Sequence, residues 1–82
     1  MKLTVDISLY PLSEDFIPFI KEFILRLKSY SNLTIATNNI STQVSGDFEE
    51  VMKIISTEMK AMFEEQRSVL VMKFLLGDKL ND

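Results

Sequence analysis

The 82-residue chain is 46% hydrophobic and 26% charged, a balance that suits one globular core and is too apolar for disorder. It holds neither cysteine nor histidine, which excludes disulfides, thiolate nucleophiles and imidazole acid–base or metal chemistry. A net charge of −3 argues against a nucleic-acid surface, and no stretch approaches the ~20 apolar residues that direct membrane insertion requires.

The pattern opens with alternation from Lys2 to Tyr10. Leu3, Val5, Ile7 and Leu9 point one way, and Thr4, Asp6, Ser8 and Tyr10 the other, which predicts a strand that Pro11 ends. A helix is predicted from Asp15 to Tyr30, with Asp15 as N-cap and Pro18 in the first turn, where no intrahelical N–H is needed. Its apolar side carries Phe16, Ile17, Ile20, Phe23, Ile24, Leu27 and Tyr30.

Strands follow at Leu33–Asn38 and Ile40–Ser45, joined by an Asn38-Asn39 turn and closed by Gly46. Asp47 with Glu50 reads as a capping box for a second helix over residues 48–65. Its stripe is Phe48, Val51, Met52, Ile55, Met59, Met62 and Phe63, with the methionines as core filling. The last strand, Ser68–Leu76, is apolar on both faces. Leu70, Met72, Phe74 and Leu76 are expected toward the helices, while Val69, Val71, Lys73 and Leu75 face away, with Asp6 available to Lys73. The tail beyond Gly77 is expected to be mobile.

Strand, helix, strand, strand, helix, strand is the order of an α+β ferredoxin-like βαββαβ sandwich. It predicts a four-stranded antiparallel sheet with two helices on one face and the first and third strands at its centre. Residues 1–82 are read as one domain. So short a chain has little core of its own, so a homo-oligomer, dimer or tetramer, is expected, formed by sheets meeting across their helix-free faces. An acid at position 6 spoils any signal peptide, which points to a cytoplasmic protein.

No catalytic constellation emerges. The pairs Glu14-Asp15, Glu49-Glu50 and Glu64-Glu65 are adjacent acids that do not converge on one ligand, and Ser41-Thr42 has no base beside it. Glycine is too sparse for a phosphate cradle, and no metal or cofactor is implied. What remains is the polar face of the sheet, where Ser8, Tyr10 and Ser41 fall within one ligand's reach and Asp6 and Asn38 lie nearby. Two readings stay open from pattern alone: a solvated sheet surface, or a pocket walled by this face and a second subunit.

Two segments favour the pocket. Ile7-Ser8-Leu9-Tyr10-Pro11-Leu12, running through Asp15-Phe16-Ile17 into Ile20-Lys21, resembles the opening of the YkoF-like thiamine and hydroxymethylpyrimidine-binding family. Asn39-Ile40-Ser41-Thr42, followed by Gly46 and an acidic helix start, is similar to that family's His-Ile-Ser-Thr strand, and Arg67 and Val69 resemble its Arg-Val pair with Ser68 intervening.

The resemblance implies a ferredoxin-like fold without catalysis and thiamine or its hydroxymethylpyrimidine moiety as ligand. It also implies a role near thiamine uptake or salvage, and contacts at Ser8, Tyr10, Ser41 and Thr42. Thr42 enters on resemblance alone, since parity turns it toward the helices. Asn39 departs from the family's histidine, and one repeat stands where the family's namesake has two in tandem. The competing expectation is a structural or regulatory interaction module that oligomerises through its sheet face.

Overall fold

The computed structural model describes residues 1–80. The alternating start becomes β1 (Lys2–Pro11), and α1 (Ile17–Lys28), β2 (Thr34–Thr37), β3 (Thr42–Asp47), α2 (Phe48–Glu65) and β4 (Ser68–Leu76) follow. The sheet is antiparallel with order β2-β3-β1-β4, so the first and third strands are central as the pattern predicts. Leu3, Val5 and Ile7 of β1 are buried with Val44 of β3, Phe23 and Leu27 of α1, and Val51, Ile54, Ile55 and Met62 of α2.

Pro11 is the last residue of β1 rather than its terminator, and the ladder explains why it fits. The Leu12 N–H donates to the Arg67 carbonyl and the Gly77 N–H to the Lys2 carbonyl, both at 2.9 Å. Even-numbered β1 residues therefore bond toward β4 and odd-numbered ones toward β3. The missing N–H of Pro11 thus points to the side where β3 pairing has already stopped, at Ile7 opposite Thr42.

Several boundaries differ from expectation. Phe16, not Asp15, holds the N-cap position of α1, in αR conformation and without a side-chain cap. The Ile20 N–H bonds to the Phe16 carbonyl at 3.1 Å, which makes Phe16 the first acceptor and leaves Asp15 outside the helix. The helix stops at Lys28, with Arg26 and Lys28 in its last turn, where cations suit the dipole. Phe16 and Ile17 are exposed instead of packed. Asp47 does sit at the N-cap of α2, but neither it nor Glu50 builds a capping box; the Phe48 N–H bonds to the Met1 carbonyl at 2.9 Å.

Gly46 does not close β3 but lies buried inside it, opposite Leu3. A Cβ there would meet Leu33 Cδ2 at 3.1 Å, the Asn32 carbonyl at 3.2 Å and Val51 Cγ2 at 3.2 Å. The loop before β2 and the first turn of α2 thus close onto bare backbone. Gly46→Ala is expected to lower stability by about 1–3 kcal/mol. An unchanged urea midpoint would contradict this packing.

On α2 the buried side is Val51, Ile54, Ile55, Glu58 and Met62. Phe48, Met52 and Phe63 of the expected stripe are exposed, so the stripe is rotated toward Ile54 and Glu58. Glu58 is 5% exposed yet fully engaged: Arg26 Nε donates to Oε1 at 2.6 Å and the Tyr30 hydroxyl to Oε2 at 2.6 Å. Burial is tolerated because both oxygens are paired. The same bond, more than burial, holds the Tyr30 phenol above its ordinary pKa.

β4 meets the helices only in part. Leu70 and Met72 pack against the core, whereas Phe74 and Leu76, expected beneath the helices, are 53% and 66% exposed. The reason is placement, since α1 and α2 pack chiefly over β1, β2 and β3. The tail is also not loose over Gly77–Leu80. Gly77 turns at φ 104°, Thr4 Oγ1 donates to its carbonyl at 2.8 Å, the Lys79 N–H donates to Thr4 Oγ1 at 3.0 Å, and Ser45 Oγ donates to Asp78 at 2.7 Å. Thr4 and Ser45, on the helix-free face, are buried by this return. Asn81 and Asp82 lie outside the described residues. No helix among the described residues is long and apolar enough to cross a membrane.

Candidate functional site

The early end of β3 creates the site. Beyond Ile7, β1 continues alone against β4 from Ser8 to Pro11, while the chain of the β2–β3 hairpin turns away. Asn38 drives that turn: its Oδ1 accepts from the Ile40 N–H at 2.9 Å and the Ser41 N–H at 3.0 Å, and its own N–H donates to the Ser41 carbonyl at 3.1 Å. This Asx geometry holds Ile40 outward, 87% exposed.

A crevice of about 120 Å³ opens between the free side of β1, the hairpin and α1. Ser8, Asn39, Ser41 and Thr42 supply its polar rim, and Ile7, Leu9, Ile20 and Phe23 are among its apolar walls. Next to it lies a shallower hollow of about 320 Å³ bounded by Leu9, Tyr10, Pro11, Phe16 and Ile20. The two share Leu9 and Ile20, so they form one continuous surface. A polar-rimmed slot beside an aromatic shelf suits a flat heteroaromatic ligand, with hydroxyls for ring-edge groups and Tyr10 and Phe16 for stacking or a cation.

The residues singled out by sequence are thus distributed unevenly. Ser8, Ser41 and Thr42 border one crevice, and Tyr10, 55% exposed, borders its neighbour. Asn38 is occupied in shaping the turn. Thr42 is buried on the helix side, its hydroxyl 2.8 Å from that of Thr37.

Asp6 lies on the helix-free face and works through Ser41. Its Oδ1 accepts from Ser41 Oγ at 2.6 Å and Gln43 Nε2 at 2.7 Å, and Gln43 Nε2 also donates to Ser41 Oγ at 2.8 Å. That closed triangle fixes the Ser41 hydroxyl on the helix-free face, at the residue that also borders the crevice. Asp6 also borders a separate hollow of about 420 Å³ with Thr4, Gln43, Lys73 and Leu80.

The bonds from Ser41 and Gln43, aided by Lys73 directly across the ladder, hold the Asp6 carboxyl below the ordinary range against the opposing effect of burial. A depressed folded pKa contributes stability above the carboxylate's unfolded value and loses it as pH falls through the lowered one. Wild-type melting temperature should therefore drop on acidification below roughly pH 4 more steeply than that of Asp6→Asn. Parallel profiles for the two proteins would sink this assignment.

Sequence reasoning missed Leu9, Phe16 and Ile20 as site walls and Gln43 as the residue that orients Asp6 and Ser41. Helical spacing puts Phe16 and Ile20 on the apolar side of α1 but cannot tell a covered flank from an open one. A further cleft of about 400 Å³, lined by Tyr30, Asn32, Glu50, Lys53, Ile54 and Thr57, contains none of the residues singled out.

Comparison with known proteins adds to this geometry. A family model described as the YKOF-related family matches residues 2–77. A Thermotoga maritima protein assigned provisionally to thiamine biosynthesis or salvage superposes with a TM-score of 0.84 at 25% identity, covering 94% of this chain and 85% of its own. A Streptococcus pneumoniae protein gives 0.85 at 23% identity, covering 98% and 91%. A hypothetical protein of Methanocaldococcus jannascii gives 0.78 at 23%, covering 95% and 82%. The last two bear on the fold alone. No curated protein matches the sequence.

Proposed function

Because this chain belongs to the YKOF-related family, we propose that it is a non-catalytic binding protein for thiamine or its hydroxymethylpyrimidine moiety, acting in thiamine uptake or salvage in the cytoplasm. The observation that carries the reading is the crevice at the free side of β1, where Ser8, Ser41 and Thr42 meet beside Tyr10 and Phe16. A slot of about 120 Å³ is far below the ~300–1,000 Å³ of drug-sized pockets and suits one small ring. The pyrimidine matches its polar rim, and the thiazolium cation of thiamine matches the adjoining aromatic shelf. A related structure provisionally linked to thiamine metabolism supports the same ligand class.

A second copy of the chain completes the proposed unit. Val69, Val71 and Leu75 are 47%, 47% and 53% exposed on the helix-free face. Covering them would contribute about 1.5–3 kcal/mol per fully buried side chain, before association costs are subtracted. The alternative, an interaction module with no small ligand, rests on this same apolar surface.

Ligand stabilisation separates the two. Because a ligand that binds only the folded state raises its stability as concentration exceeds Kd, thiamine or hydroxymethylpyrimidine should raise the melting temperature in a dose-dependent manner. Tyr10→Ala should weaken that binding by about 1 kcal/mol or more if the ring stacks. Unchanged affinity in folded Tyr10→Ala would remove Tyr10 from the site.

A further inference from the structure

Between α2 and the loop after α1 lies a cleft of about 400 Å³ that the proposed thiamine site does not use. Glu50, Lys53, Ile54 and Thr57 line it from α2, and Tyr30 and Asn32 from the loop. Residues three and four apart on a helix are neighbours, so these four α2 positions share one face. The loop wall is held in place. The Leu33 N–H donates to the Tyr30 carbonyl at 3.3 Å, the Tyr30 hydroxyl is tied to Glu58, and the Asn32 carbonyl closes onto the bare backbone of Gly46.

Elsewhere in the chain, polar groups around a hollow close on one another, as Arg26 does on Glu58, and Ser41 and Gln43 on Asp6. Here they do not. Among the described residues, no hydrogen bond or ion pair engages the side chains of Asn32, Glu50 or Lys53. Glu50 and Lys53 are helical neighbours of opposite charge, yet they leave each other unpaired and border one space. Thr57 adds no free donor, since its hydroxyl donates to the Lys53 carbonyl at 2.9 Å. Ile54, 7% exposed, and Tyr30, packed against the core, give the cleft an apolar floor.

We propose that this cleft is a second small-molecule site, for a free α-amino acid with an apolar side chain. Glu50 takes the ammonium, Lys53 and Asn32 take the carboxylate, and Ile54 with the Tyr30 ring takes the side chain. Simpler ligands leave a group unanswered. An anion alone would meet Glu50 as a like charge, and a cation alone would meet Lys53. A zwitterion answers both charges, and an apolar side chain removes the floor from water. The volume falls within the ~300–1,000 Å³ of small-molecule clefts. The two sites are separate, because Ile20 borders the thiamine crevice near the start of α1, whereas Tyr30 lies beyond its last residue, Lys28.

L-leucine is the probe. Titration calorimetry should show one site per chain with a Kd of about 1 mM or below. Leucinamide and 4-methylpentanoate, which each lack one charge, should bind at least roughly tenfold more weakly. Lys53→Met should weaken leucine binding by about tenfold or more. Because Lys53 is exposed and borders no part of the thiamine crevice, melting temperature and thiamine affinity should stay unchanged. The chain has two tyrosines and no tryptophan, so in Tyr10→Phe only Tyr30 emits, and leucine should change that emission along the same saturation curve.

Folded wild-type protein that takes up no leucine at ~20 mM, well above the expected Kd, would overturn the proposal. So would full leucine affinity in Lys53→Met, displacement of leucine by hydroxymethylpyrimidine, or 4-methylpentanoate binding as tightly as leucine. The leucine readouts need no bound thiamine, so failure of either site leaves the other standing.

Discussion

Ile20→Trp is expected to weaken ligand binding at least a hundredfold, about 2.8 kcal/mol, with the fold retained. Ile20 is the α1 side chain that borders both the polar crevice and the aromatic shelf, together with Leu9 of β1. An indole there would occupy the space a pyrimidine needs. The substitution should spare stability because Ile20 is only partly buried and lies outside the set of fully buried core residues. Urea unfolding and ligand titration on the same sample distinguish the two effects. Wild-type affinity in folded Ile20→Trp would place the ligand elsewhere.

Arg26→Met is expected to cost about 2–3 kcal/mol of stability, less than the ~3–5 kcal/mol typical when a fully buried pair is broken. Arg26 retains 32% exposure in its side chain and also approaches Glu65 at 3.8 Å, but Glu58 is nearly sealed, at 6% of its side chain. Removing the guanidinium leaves a buried carboxylate with Tyr30 as its remaining partner. Adding Glu58→Leu should recover most of the loss, because no charge is then left to desolvate. A double-mutant cycle checks this, and simple additivity of the two single changes would contradict it.

Where a residue's role follows from local period, the sequence was readable. Leu3, Val5 and Ile7 alternate into the core, and the same parity turns Asp6 toward the face that carries Lys73. What failed depends on where neighbouring elements stop. Phe74 and Phe16 fit apolar patterns, yet they lie exposed because the helices pack chiefly over β1, β2 and β3 and α1 starts late. Gly46 looked like punctuation because glycine commonly ends strands, whereas here three neighbouring groups crowd its missing side chain. The tail beyond Gly77 seemed free because polar residues carry no period. Its anchors, Thr4 and Ser45, lie far away in sequence.

The candidate site divides in the same manner. Ser8, Tyr10 and Ser41 were visible through parity and resemblance. The crevice itself was not, since it exists because β3 stops pairing at Thr42 while β1 runs on to Pro11. By pattern Asn38 suits both the hairpin turn and the ligand, and its hydrogen bonds assign it to the turn.

Calorimetric titration of the wild-type protein with hydroxymethylpyrimidine and with thiamine tests the central claim most directly. Saturable binding of both at one site per chain is expected, with thiamine binding weakened at least a hundredfold in Ile20→Trp. Absence of binding by either compound at millimolar concentration, in protein that is folded, would contradict it.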